Sequence, residues 1–94
     1  MTPFQRDEVK AAKNHIKHGI TFEAARFVFV DPCAIDLADD RQDDRERRSI
    51  ILGMVKGRVL FVVYTMIDDT IRIISARLAV RVERRRYHEE NQVD

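Results

Sequence analysis

Apolar positions follow a helical period up to Asp31-Pro32 and an extended one beyond it. Between Asp7 and His18, Val9, Ala12 and Ile16 recur at helical spacing, and Asp7 is a suitable N-cap. Lys17 and His18 fall in the last turn, where positive charge suits the helix dipole, and Gly19 follows as the C′ residue. Thr21 predicts a second N-cap, with Glu23 in the first turn and Phe22, Ala25 and Phe29 on one face. Proline cannot continue a helix and restricts the residue before it, so Asp31-Pro32 ends this one. The residues ahead of both helices, 2–5, are short enough to be an edge strand at most.

The second part of the chain reads as strands. Ala34 to Leu37 is a short one, and Asp39 to Asp44 is too charged to be buried and reads as a loop. Arg47 to Val55 and Arg58 to Met66 are joined by Lys56-Gly57, which predicts an antiparallel hairpin. Asp68-Asp69 makes a second turn into Thr70 to Arg77. These runs are apolar on both faces in places, as expected of a sheet with helices on one side and a further layer or a partner on the other. From Ala79 the period is helical again, with Ala79, Val82 and Tyr87 roughly on one face and a polar tail, Glu89 to Asp94, expected to fray. The expected fold is α+β: two N-terminal helices, an antiparallel sheet of three to four strands, and a C-terminal helix.

At 94 residues the chain makes a single domain spanning 1–94. Its net charge of +1 excludes a bulk polycation, but the charge is unevenly spread. Arg77 to Arg86 holds five arginines against Glu83 alone, whereas Asp39 to Arg48 mixes five acids with four arginines. One cysteine, Cys33, cannot form an internal disulfide and is expected to act as a small buried hydrophobe. No zinc-type ligand spacing is visible, so neither metal nor cofactor is expected. Apolar runs are too short to span a bilayer and no secretory signal is evident, so a cytoplasmic protein without membrane contact is expected.

The segment Ile71-Arg72-Ile73-Ile74-Ser75-Ala76-Arg77 departs from these bland features. A sheet gains nothing from arginines among isoleucines, and a buried charge needs a partner. Guanidinium keeps its charge and offers a planar fork suited to phosphate, so an anion-binding surface is expected near this strand. Regular alternation would put Arg72 and Arg77 on opposite faces. They share a site only where the strand bends or ends near Ser75-Ala76.

Several segments carry a resemblance. Asn14, Lys17-His18-Gly19-Ile20, Phe22, Ala25, Phe29 and Asp31-Pro32 come first, then Asp40-Arg41, Glu46-Arg47, Gly53 and Leu60 to Thr65. Arg72-Ile73-Ile74-Ser75-Ala76-Arg77, Ala79, Glu83-Arg84 and Tyr87 complete the set. In this order they resemble the BrnT family of toxins from about Phe4 to Tyr87, although Phe4-Gln5-Arg6-Asp7 stands where the family commonly has an aromatic-acidic-tryptophan-aspartate run. The resemblance implies a RelE-like fold and a ribonuclease that arrests translation. It also implies a ribbon-helix-helix (BrnA-like) antitoxin, a 2:2 heterotetramer, and promoter DNA bound through the antitoxin.

RNA can be cut without metal when its 2′-hydroxyl attacks the adjacent phosphate and the 5′-oxygen leaves. The protein must then orient the phosphate, stabilise added negative charge and move two protons. Arg72, Arg77 and Arg47, on or beside strands, are the candidates for the charge; His18, Tyr87, Glu46 and Asp40 are those for proton transfer. Lys17, Arg81, Arg84 and Arg85 are candidates for holding the RNA backbone. Each has a structural alternative: His18 and Lys17 as helix C-terminal cations, Arg84 and Arg85 as a solvated helix face, Arg72 as half of an ion pair, Tyr87 as core. A non-catalytic interaction protein, whose basic surface meets an antitoxin or a DNA-bound repressor complex, is the competing function.

Overall fold

A computed structural model describes residues 4–5, 8–38 and 48–91. The expected Asp7 cap, the acidic loop with Asp40, Glu46 and Arg47, and residues 92–94 lie outside the described residues. The order is β1 (Phe4–Gln5), α1 (Glu8–His18), α2 (Phe22–Ala25), a 3-10 helix (Arg26–Val30), β2 (Ile35–Ala38), β3 (Ser49–Val55), β4 (Arg58–Ile67), β5 (Thr70–Leu78) and α3 (Arg81–Glu90). This is the expected α+β arrangement. The sheet runs β1-β5-β4-β3-β2, with β2 to β5 antiparallel and β1 adding a short parallel edge to β5.

Both predicted turns form. Lys56 and Gly57 have φ of 51° and 79°, and Asp68 and Asp69 have 47° and 65°. Two successive left-handed residues match the natural twist of a hairpin, and short polar side chains such as aspartate tolerate that region. Thr21 caps α2 by accepting from the Ala24 N–H at 3.0 Å.

One sheet face carries the main core. Ile51, Val55, Leu60, Val62, Ile71, Ile73 and Ala76 pack against Ala11, Ile20, Phe22, Ala25 and Val28 from the N-terminal helices. Gly53 lets the 3-10 helix lie directly on β3: a Cβ there would stand 2.7 Å from the Val28 Cβ. On the opposite face α3 covers one end of the sheet, where Ala79 and Tyr87 meet Leu52 and Val59.

Two polar side chains, the buried Asn14 and the half-buried Asp31, finish the sheet edges. The Asn14 carboxamide donates to the carbonyls of Ile20 (2.9 Å) and Ala76 (2.8 Å) and accepts from the Ala76 N–H (2.9 Å), closing the β5 edge beyond β1. The Asp31 carboxylate accepts from the N–H groups of Cys33 (2.9 Å) and Met54 (2.7 Å) and from the Tyr87 hydroxyl (2.6 Å), closing β3 beyond β2. Burial opposes its charge, but these three donors outweigh it and hold the Asp31 pKa below its ordinary value.

Four local expectations are corrected. In α1 the apolar stripe faces outward, with Val9 63% and Ile16 87% exposed, because the anchoring Asn14 turns the Ala11–Asn14 face to the sheet. The second helix stays α-helical only to Ala25; the aromatic and β-branched run that follows winds as a 3-10 helix, and Phe29 meets Tyr64 edge-on at 4.9 Å. In α3 Val82 is exposed, since the inward positions are Glu83, Tyr87 and Asn91, each one helical turn on. Cys33, expected to be buried, is exposed; its carbonyl (2.9 Å) and that of Tyr87 (2.7 Å) accept from the Asn91 amide at the end of α3, which runs through Glu90.

Candidate nucleic-acid interface

The arginine-bearing strand is irregular at one residue. Between β4 and β5, Val63 pairs with Ser75 and Tyr64 with Ile73, so Ile74 is left over as a bulge. An extra residue shifts the alternation by one. Ile71 and Ile73 before the bulge, and Ala76 after it, therefore all join the helix-side core. Arg72, Ser75 and Arg77 fall on the other face together. Neighbours across the strand agree: Arg72 stands opposite Thr65, and Arg77 opposite Phe61, which packs with the α3-side cluster. Those partners lie four positions apart on β4, or about 13 Å at strand rise.

Arg77 is firmly held on this face. Its Nη1 and Nη2 donate to the two carboxylate oxygens of Glu83 at 2.8 and 3.0 Å, and its guanidinium carbon lies 3.8 Å from the Phe61 ring centroid. Glu83 also accepts from the Val80 N–H at 2.8 Å, closing the first turn of α3. Burial raises the Glu83 pKa, but its bonds to Arg77 and Val80 and the Arg77 charge bring it below the ordinary value. Arg72 is half-buried further along the face.

Sequence reasoning missed two members. Arg48, one residue before β3, is in phase with Ile50 and Leu52, so alternation places it on the same face. Counting back by two from Leu52 was the available signal. Glu83 had no such signal, because its partnership with Arg77 depends on where α3 starts after β5.

The other candidates are placed elsewhere. Lys17 is exposed and His18 half-buried at the C-terminus of α1, which packs on the opposite face of the sheet from Arg72 and Arg77. There the Gly19 N–H bonds the His15 carbonyl at 2.8 Å, with Gly19 at φ 71°. Tyr87 is 5% exposed. Burial, its hydrogen bond to Asp31 and the Asp31 charge all push the Tyr87 pKa far above its ordinary value. Arg81 and Arg85 flank Val82 on the outer surface of α3, and Arg84 bends back to donate to the Ala79 carbonyl at 2.7 Å. Arg47 lies outside the described residues.

The arrangement can present two strand-held guanidinium groups to one anionic chain, with α3 arginines nearby. Among the described residues no group of three His, Cys, Asp or Glu side chains is placed to hold a metal ion, and no helix is long and apolar enough to cross a membrane.

Residues 7–83 match the family model described as "Ribonuclease toxin, BrnT, of type II toxin-antitoxin system". No curated protein matches the chain.

Proposed function

The chain belongs to the BrnT family of ribonuclease toxins of type II toxin–antitoxin systems, and we propose that it cuts RNA without metal on the sheet face that carries Arg72 and Arg77. The observation that carries this reading is the Ile74 bulge, which turns both arginines to one face. Arg72 and Arg77 hold the scissile phosphate and offset the charge that builds up as the ribose 2′-oxygen attacks phosphorus. The 2′-hydroxyl proton leaves to a base, the P–O5′ bond breaks, and an acid protonates the departing oxygen. The products are a 2′,3′-cyclic phosphate and a 5′-hydroxyl.

On this reading His18 caps α1 and Tyr87 secures α3, so the proton carriers come from the segment with Asp40 and Glu46. Arg48 enters at the start of β3. Arg81, Arg84 and Arg85 extend the basic surface along which RNA approaches, whereas Lys17, on the opposite face of the sheet, takes no part. Family membership makes an antitoxin the partner. A ribbon-helix-helix protein fits as that antitoxin, in a 2:2 complex that binds promoter DNA and restrains arrest of translation in the cytoplasm.

One observation favours a binding-only alternative: Arg77 already has a carboxylate partner in Glu83. Incubating the purified chain with RNA in excess EDTA separates the two. Fragments ending in 2′,3′-cyclic phosphate support the nuclease; intact RNA together with tight antitoxin binding supports the alternative.

A further inference from the structure

The guanidinium of Arg77 has five N–H groups, and their use is uneven. Nη1 spends both of its hydrogens, one on Glu83 Oε1 at 2.8 Å and one on the Leu78 carbonyl at 3.2 Å. Nη2 spends one on Glu83 Oε2 at 3.0 Å. Among the described residues Nε donates to nothing. The unspent Nε–H and the second Nη2–H lie side by side along one edge of the fork. The side chain is 33% exposed, so this edge is reachable, while one face of the group rests on the Phe61 ring.

Glu83 is itself fixed. Only 16% of its side chain is exposed, and the Val80 N–H holds the same Oε1 that Arg77 contacts. An exposed ion pair between two mobile side chains is worth little. Here the carboxylate belongs to the first turn of a helix and the guanidinium to a strand, so the pair sets a direction.

We propose that Glu83 is a positioning residue: it grips the end of the Arg77 fork so that the Nε/Nη2 edge faces the RNA backbone and takes a phosphate bidentately. This rests on the nuclease reading of the same face. A nearby carboxylate does not help an anion bind. Its contribution is orientation, which acts on the rate with bound RNA and not on affinity.

A double-mutant cycle on the full chain tests it. Single-turnover cleavage and RNA affinity are measured for wild type, Glu83→Ala, Arg77→Ala and the double variant, with folding followed by circular dichroism. Glu83→Ala is expected to slow cleavage of saturating RNA about 10-fold without weakening binding. Glu83→Gln, which keeps one acceptor oxygen, should recover part of the rate. In the Arg77→Ala background the Glu83 change should cost nothing further. An equal loss in both backgrounds, or an unchanged or faster rate in Glu83→Ala, overturns the proposal. Should Glu83→Ala not fold, Glu83→Gln carries the cycle. A wild-type chain that cuts no RNA sinks the nuclease reading instead. The proposal is then read on the Arg77 Nε–H resonance: RNA should shift it in the wild type and much less in Glu83→Ala, and an equal shift in both overturns the proposal.

Discussion

Arg72 and Arg77 sit five positions apart on one strand yet share a face of the sheet, because Ile74 has no partner on β4. Two guanidinium groups fixed to a strand, and not to a loop, make removal of either costly for chemistry. Arg72→Ala and Arg77→Ala should each lower RNA cleavage about 100-fold per folded molecule, and Arg77→Ala should also lower the melting temperature because Glu83 loses its partner. Arg77→Lys should restore little, since lysine lacks the planar fork that both Glu83 and a phosphate require. Cleavage kinetics beside thermal melts check this.

Affinity for single-stranded RNA should fall steeply with salt. Each phosphate neutralised contributes about −0.7 to the slope of log K against log salt. Two engaged arginines therefore predict a slope near −1.4, and Arg77→Ala should make it shallower by about 0.7. Titration by fluorescence anisotropy at several salt concentrations reads the slope.

The hairpins and the start of α2 were legible in the chain, because their signals are local. Lys56-Gly57 and Asp68-Asp69 carry turn chemistry, and Thr21 carries cap chemistry. The bulge was not legible: Ile73-Ile74 looks like uninterrupted strand, and only pairing with β4 reveals which isoleucine is extra. The outward turn of Val9 and Ile16 was hidden for a related reason. Apolar spacing marked a stripe on α1, but the buried amide of Asn14 chose the opposite side by bonding Ala76, 62 residues away. Both cases are long-range contacts overriding a local pattern.

Asn14→Ala should therefore destabilise the fold by about 2–3 kcal/mol, because it leaves the buried Ala76 N–H and carbonyl without partners. Gly53→Ala should cost about 1–3 kcal/mol, since Val28 approaches with backbone as well as side chain and cannot simply rotate away. Urea unfolding of both variants gives the values.

Tyr87→Phe separates packing from chemistry. Losing the 2.6 Å bond to Asp31 should reduce stability by about 1–2 kcal/mol and leave the cleavage rate per folded molecule unchanged. A rate that collapses in a fully folded Tyr87→Phe protein would return this hydroxyl to the catalytic group.

Stability should also depend on pH at both ends. Asp31 and Glu83 have folded pKa values below their ordinary 3.8 and 4.5, so their contribution is complete above those values and is lost as pH falls toward the folded ones. Tyr87 is raised above its ordinary 10.0, so its contribution is complete below that and disappears as pH climbs toward the folded value. Melting temperature should be flat through neutrality and decline in strong acid, with a shallower acid decline in Asp31→Asn.

The most direct test is a nitrogen–proton correlation spectrum of the arginine Nε groups. RNA with methylated 2′-oxygens is added, which binds but lacks the attacking hydroxyl. The resonances of Arg72 and Arg77 should both shift with one saturation curve, and amides around Lys17 and His18 should stay in place. Shifts confined to α1 or to the outer arginines of α3, with Arg72 and Arg77 unmoved, would contradict the assignment of this sheet face as the place where RNA is held and cut.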